Sequence, residues 1–70
     1  MAEIILRTDA TFGLKLKVGD EVRRGDRVGV NSKTGGSVTS PICGAVKIVS
    51  FDAESHEFIV VVSAAKQNLI

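Results

Sequence analysis

The side chains able to do chemistry are few. Cys43 and His56 are the only thiol and imidazole among the 70 residues. A thiol beside an imidazole can form an activated nucleophile, so the pair is the first candidate. The simpler reading makes Cys43 a small semi-buried filler and His56 an exposed turn residue. A metal centre needs three or four ligands. One Cys and one His fall short of that, and Asp52, Glu54 and Glu57 show no spacing that completes a set. Lys33-Thr34-Gly35 matches the K-T-G of penicillin-binding proteins, and Ser63-Ala64-Ala65-Lys66 matches their S-x-x-K. The order is reversed and the chain is far too short for that fold, so both matches are coincidental. A phosphate-binding loop is excluded because no glycine precedes Lys33 at the required position. Arg23, Arg24 and Arg27 gather in one stretch, but Asp20, Glu21 and Asp26 flank them. A solvated, nearly neutral face is the expectation, with docking of an acidic partner as the alternative.

The elements that must carry these residues are short strands. Glu3 to Arg7 is apolar and β-branched at Ile4 and Ile5, and Thr8 to Gly13 breaks the run. Leu14-Lys15-Leu16-Lys17-Val18 alternates apolar and basic residues, the period of a half-buried strand. Gly19-Asp20 and Gly25-Asp26 are turn signals on either side of Val22. Val28-Gly29-Val30 is a short strand, followed by a polar loop from Asn31 to Ser37. Val38 and Thr39 begin another strand, which Pro41 restricts to an edge or a bend, and Gly44 punctuates again. Ala45 to Ser50 is β-rich. Asp52 to Glu57 reads as a hairpin turn, and Phe58 to Val62 as a strand buried on both faces. No window of twelve residues carries helical periodicity. The inward set is Leu16, Val18, Val22, Val28, Val46, Ile48 and Val60. A tail, frayed or forming one helical turn, begins at about residue 63.

Bulk composition agrees with a single domain covering residues 1–70. Apolar residues make up 44% and aromatics only 4%, so the core must be aliphatic. A core of this size supplies about 3–5 kcal/mol. A net charge of +1, without a basic stripe or stacking aromatics, argues against a nucleic-acid binder and disfavours a small β-barrel binder of nucleic acid or ligand. No apolar run reaches the roughly 18–20 residues of a membrane span, and nothing at the N-terminus has the form of a signal peptide. One cysteine leaves no internal disulfide. The expectation is therefore a cytoplasmic protein without membrane insertion, and Met1 favours a free-standing product.

Two motifs carry a resemblance. Val18-Gly19-Asp20-Glu21-Val22-Arg23-Arg24-Gly25-Asp26-Arg27-Val28 resembles the V-G-D-x-V-x-x-G-x-x-[VIL] of biotinyl and lipoyl domains. Ser40-Pro41-Ile42-Cys43-Gly44-Ala45-Val46 resembles their A-P-x-x-G-x-V return. Together the motifs span residues 18–46. Within that superfamily the chain is most similar to the N-terminal domain of the C subunit of Rnf-type electron-transport complexes, and to the related A subunit of sodium-pumping quinone reductases. The resemblance implies an all-β, small flattened β-barrel/sandwich, the barrel-sandwich hybrid or lipoyl-like hammerhead. Gly19, Asp20, Gly25, Asp26, Pro41 and Gly44 would be its structural turns. It also implies a non-catalytic structural or docking module with no cofactor of its own. A protein partner or neighbouring domain would complete it, in an electron-transport or multi-enzyme assembly.

The alternative within the same family is a carrier, lipoylated or biotinylated on a lysine at the tip of the hairpin between the two motifs. Lys33 is the residue at that place. It lies eight residues before Pro41, the family's spacing, and eight after Gly25, about two short of it. Its neighbours Ser32 and Thr34 match neither the D-K-A of lipoyl domains nor the M-K-M of biotinyl domains. Gly35-Gly36 should loosen the tip, so Lys33 is expected to be a plain loop lysine.

Overall fold

A computed structural model describes residues 3–64. These residues form six strands and one 3₁₀ turn. The strands are β1 (Glu3–Asp9), β2 (Glu21–Val22), β3 (Arg27–Val30), β4 (Ser37–Thr39), β5 (Gly44–Asp52) and β6 (Glu57–Ala64); the 3₁₀ turn is Ala10–Phe12. One antiparallel sheet has the order β1-β6-β5-β2, and β3-β4 forms a second, smaller sheet. The fold is an all-β curled half-barrel closed by that second sheet, a small β-barrel/sandwich. No helix among the described residues is long and apolar enough to cross a membrane.

The two sheets are joined by one ribbon whose register never slips across the Gly-Asp turns. Glu21 faces Ala45, Val22 faces Gly44 and Arg27 faces Thr39. Between these pairs the turns themselves bond to the returning chain. Gly19 N–H donates to Val46 O (2.9 Å), and Val46 N–H to Asp20 O (2.8 Å). Six residues on, Gly25 N–H donates to Ser40 O (2.8 Å), and Ser40 N–H to Asp26 O (3.0 Å). The two turns are copies of each other. Gly19 has φ +98° and Gly25 φ +90°. Each aspartate carboxylate accepts the N–H three residues back, Lys17 for Asp20 (3.1 Å) and Arg23 for Asp26 (3.0 Å). The expected turn chemistry is present, with a side-chain bond added to the backbone one.

The core is aliphatic as expected: Val22, Val28, Val46, Val60 and Val62 are buried, and Ile4, Leu6, Leu14, Leu16, Val38, Ile42 and Val49 pack against them. Val46→Ala removes two buried methyl groups and should cost about 1–3 kcal/mol, measured by urea denaturation. A change below about 0.3 kcal/mol would contradict the burial of this side chain.

Several expectations need correction. Val18 is 61% exposed rather than inward, because it occupies the outer corner of the Lys17–Asp20 turn. Ile48 is 48% exposed. Lys47 is an extra residue in β5, so Val46 faces Val62 while Ile48 already faces Val61. Such a bulge reverses the alternation; Val46 and Val49 point inward and Ile48 points out. Leu14 to Val18 is not a strand. It keeps the predicted alternation, with Leu14 and Leu16 inward, but pairs in no ladder. Thr8 does not break β1, which runs to Asp9, and its side chain is fully buried. β6 is not buried on both faces: Val60 and Val62 are, whereas Ile59 and Val61 are half-exposed on the other side. Ser63 and Ala64 belong to β6 rather than to a tail; the rest of the expected tail lies outside the described residues. Gly44 is no punctuation mark. It is the buried first residue of β5, where an added Cβ would lie 2.0 Å from Ser63 O.

Candidate docking face and hairpin tip

The outward residues of β1, β6 and β5 stand in rows. Ile5 faces Val61, which in turn faces Ile48; the next row is Arg7, Ile59 and Ser50. Ile5 is 66% exposed, and with Ile48, Val61 and Ile59 it makes an apolar centre on the outer sheet face. Ion pairs rim this centre at both ends. Lys47 Nζ lies 2.6 Å from Glu3 Oε2, which the bulge allows by turning Lys47 outward. At the other end Arg7 Nη1 lies 3.3 Å from both Asp52 Oδ2 and Glu57 Oε1. An apolar patch with a polar rim is the ordinary anatomy of a protein-contact surface.

The hairpin tip is more ordered than its composition suggests. The Asn31 side-chain oxygen accepts the N–H of Lys33 (2.8 Å) and of Thr34 (3.2 Å). Gly35 N–H donates to Asn31 O, and Asn31 N–H to Gly36 O, both at 2.8 Å. Gly36 N–H donates to Thr34 Oγ1 at 3.1 Å. Gly35 has φ +74°, the left-handed conformation the loop needs to close. Gly35-Gly36 therefore complete the turn rather than loosening it, and Lys33 is exposed on a tied loop. Ser32 Oγ donates to Glu57 Oε2 at 2.7 Å, which fastens the tip to the start of β6.

Glu57 thus links three elements: the tip loop, β6 and Arg7 of β1. Its carboxyl is held below the usual range, first by the Ser32 hydroxyl, then by Ser55 and Arg7. Asp52 is lowered mainly by Ser55 and then by Arg7, and Asp9 by Thr11. Depressed folded-state values contribute stability above the unfolded carboxylate range and lose it as pH falls through the folded values. Urea midpoints should therefore fall as pH drops from 7 through 4 toward 2. Glu57→Gln should flatten part of that fall. An unchanged midpoint at pH 3 would contradict these interactions.

The remaining candidates do not converge. Cys43 is exposed, not semi-buried, and its Sγ accepts the Arg24 N–H at 3.4 Å. His56 is exposed in the turn before β6, as expected, with φ +55° and its ring edge-on to Phe51. The nine residues of β5, roughly 30 Å of strand, separate it from Cys43. Among the described residues no three His, Cys, Asp and Glu side chains gather to hold a metal. Lys66 lies outside the described residues. Asp20 and Asp26 are engaged in their turns, and no ion pair joins them to Arg23, Arg24 or Arg27 among the described residues. A shallow groove of about 360 Å³ runs between residues 12–16 and β3, lined by Phe12, Leu16, Val28 and Val30 with Lys15 and Arg27.

The exposed apolar row is illegible in the sequence because the bulge hides it, and the ties of Glu57 to Ser32 and Arg7 because these partners are distant in the chain. The run Phe58 to Val62 was the available signal: five apolar residues in a sheet with one solvent face leave some of them outside. No family model matches this chain, and no curated protein or solved structure matches it significantly.

Proposed function

We propose that this chain is a non-catalytic, lipoyl-like structural module that docks a neighbouring protein of an electron-transport or multi-enzyme assembly. The observation that carries the reading is the apolar row Ile5, Val61 and Ile48 on a sheet face that no described strand covers, closed at each end by ion pairs. The two Gly-Asp turns and the Pro41 return support the lipoyl-like assignment through their order and geometry. The partner supplies an apolar surface that covers the row. The test is co-purification of the tagged chain from its native host at fixed stoichiometry. Ile48→Glu, at an exposed position, should abolish it without altering the circular dichroism, and Lys33→Ala should leave it intact. Co-purification unaffected by Ile48→Glu would overturn the assignment of the face.

A second reading, a carrier modified on Lys33, is favoured by one observation: the tip loop is tied by Asn31 and Ser32 rather than loose. The flanking residues still match neither attachment motif. Incubation with a lipoate or biotin ligase and its substrates should leave the mass unchanged. Lys33→Ala should change stability by less than about 0.5 kcal/mol, as at ordinary surface positions. Efficient labelling lost in Lys33→Ala would install the carrier reading in place of the first.

A further inference from the structure

β1 is the edge of the four-stranded sheet: among the described residues it is hydrogen-bonded to β6 and to no other strand. It is seven residues long and has no proline or bulge. An edge of this kind is a template for another strand unless something blocks it. Its outward side chains are Glu3, Ile5 and Arg7, an acid, an apolar residue and a base at alternate positions.

That order is self-complementary. Turned about a two-fold axis through Ile5 and laid antiparallel, the strand meets its own copy with Glu3 opposite the second copy's Arg7, Ile5 opposite Ile5, and Arg7 opposite Glu3. The inward residues Ile4 and Leu6 face each other in the same register. Moving the axis to Leu6 sets Glu3 against Asp9, a like-charge pair, and Ile5 against Arg7. Opposite charges across an antiparallel pair stabilise it, and like charges directly opposite oppose it. A slip of one residue turns the outward set inward. We infer that β1 pairs with β1 of a second copy in the register centred on Ile5, giving a symmetric dimer with one continuous eight-stranded sheet.

The charged groups are exposed enough to share a partner across the axis. The Arg7 side chain is 51% exposed and that of Glu3 40%, although each already has a partner within its own chain. Pairing also extends the apolar row, from Ile48 through Val61 and Ile5 of one chain to the same residues of the other. The two-fold arrangement is the commonest closed symmetry, and its interface is the same patch on both subunits. The pairing of β1 edges does not rest on the docking reading; the two share Ile5, and Ile48→Glu, on β5 away from the β1 edge, tests the docking reading alone.

Sedimentation equilibrium of the whole chain tests it. The expected result is a dimer whose dissociation constant rises with ionic strength, since the paired charges are partly exposed. Ile5→Lys sets two lysines opposite each other on the axis and should weaken association by at least ~10-fold, with an unchanged circular dichroism spectrum. In a Cys43→Ser background, Ile5→Cys should form a disulfide-linked dimer on mild oxidation. Val18→Cys, exposed but far from β1 in the chain, should not. A wild-type chain that remains monomeric up to about 1 mM, or cross-linking as fast at Val18→Cys as at Ile5→Cys, would overturn the inference. A monomer that still loses its native partner in Ile48→Glu would leave the docking reading standing.

Discussion

Gly44→Ala should nearly abolish folding at ambient temperature, although it adds a single methyl group. Gly44 sits between two strands, opposite Val22 of β2 and Ala64 of β6. A Cβ there would lie 2.0 Å from Ser63 O and 2.8 Å from Ser63 C, both backbone atoms. No rotamer change relieves such a clash; β5 and β6 would have to part where the sheet is joined to β2. Overpacking costs typically 1–3 kcal/mol and occasionally more. A backbone collision belongs at the upper end, about 3 kcal/mol, against a core that supplies about 3–5 kcal/mol. For a domain of this size the melting temperature should fall by roughly 12–24 °C. A fall of less than about 4 °C would mean that the strands do not approach as closely as described.

The second large effect is expected from the paired turns. Gly19→Val and Gly25→Val each force a β-branched residue into positive φ, which costs on the order of 1–2 kcal/mol. Neither position has a neighbour within 4 Å of an added Cβ, so the penalty is conformational rather than steric crowding. The turns bond separately to the returning chain, at Val46 and at Ser40. The double variant should therefore lose about 2–4 kcal/mol if the two costs add. Gly19→Ala and Gly25→Ala should lose less than the valine variants. Valine variants as stable as the wild type would remove the turns from the account of the fold.

What was legible in the sequence was local. Gly19-Asp20 and Gly25-Asp26 announce their turns because glycine admits positive φ and aspartate can close a short loop on its own backbone. Val22 and Val28 could be placed inward because each lies close to such a turn, and Val46 and Val60 because each lies in a β-rich apolar run. The illegible features were decided across the sheet. Nothing in Val46-Lys47-Ile48 marks Lys47 as an extra residue; only its pairing with β6 does. Leu14 to Val18 has the alternation of a strand, but β-pairing needs a neighbour that the topology does not provide. Gly44 looks like every other turn glycine until Ser63 is brought against it. Thr8 is buried against Gly29, with its hydroxyl lacking a partner among the described residues, which a polar residue next to Asp9 does not foretell. The tip loop was misjudged because two adjacent glycines suggest freedom, whereas Asn31 and Ser32 restrain it through bonds that depend on the loop already being closed.

The intact mass of the chain isolated from its native host bears most directly on the claim that it is a docking module and not a carrier. Ligases of lipoyl and biotinyl domains act on a lysine at a folded hairpin tip, and Lys33 occupies such a tip. The expected mass is that of the unmodified polypeptide, the same in the free and partner-bound pools. A stoichiometric adduct of lipoyl or biotinyl size on Lys33 would contradict it.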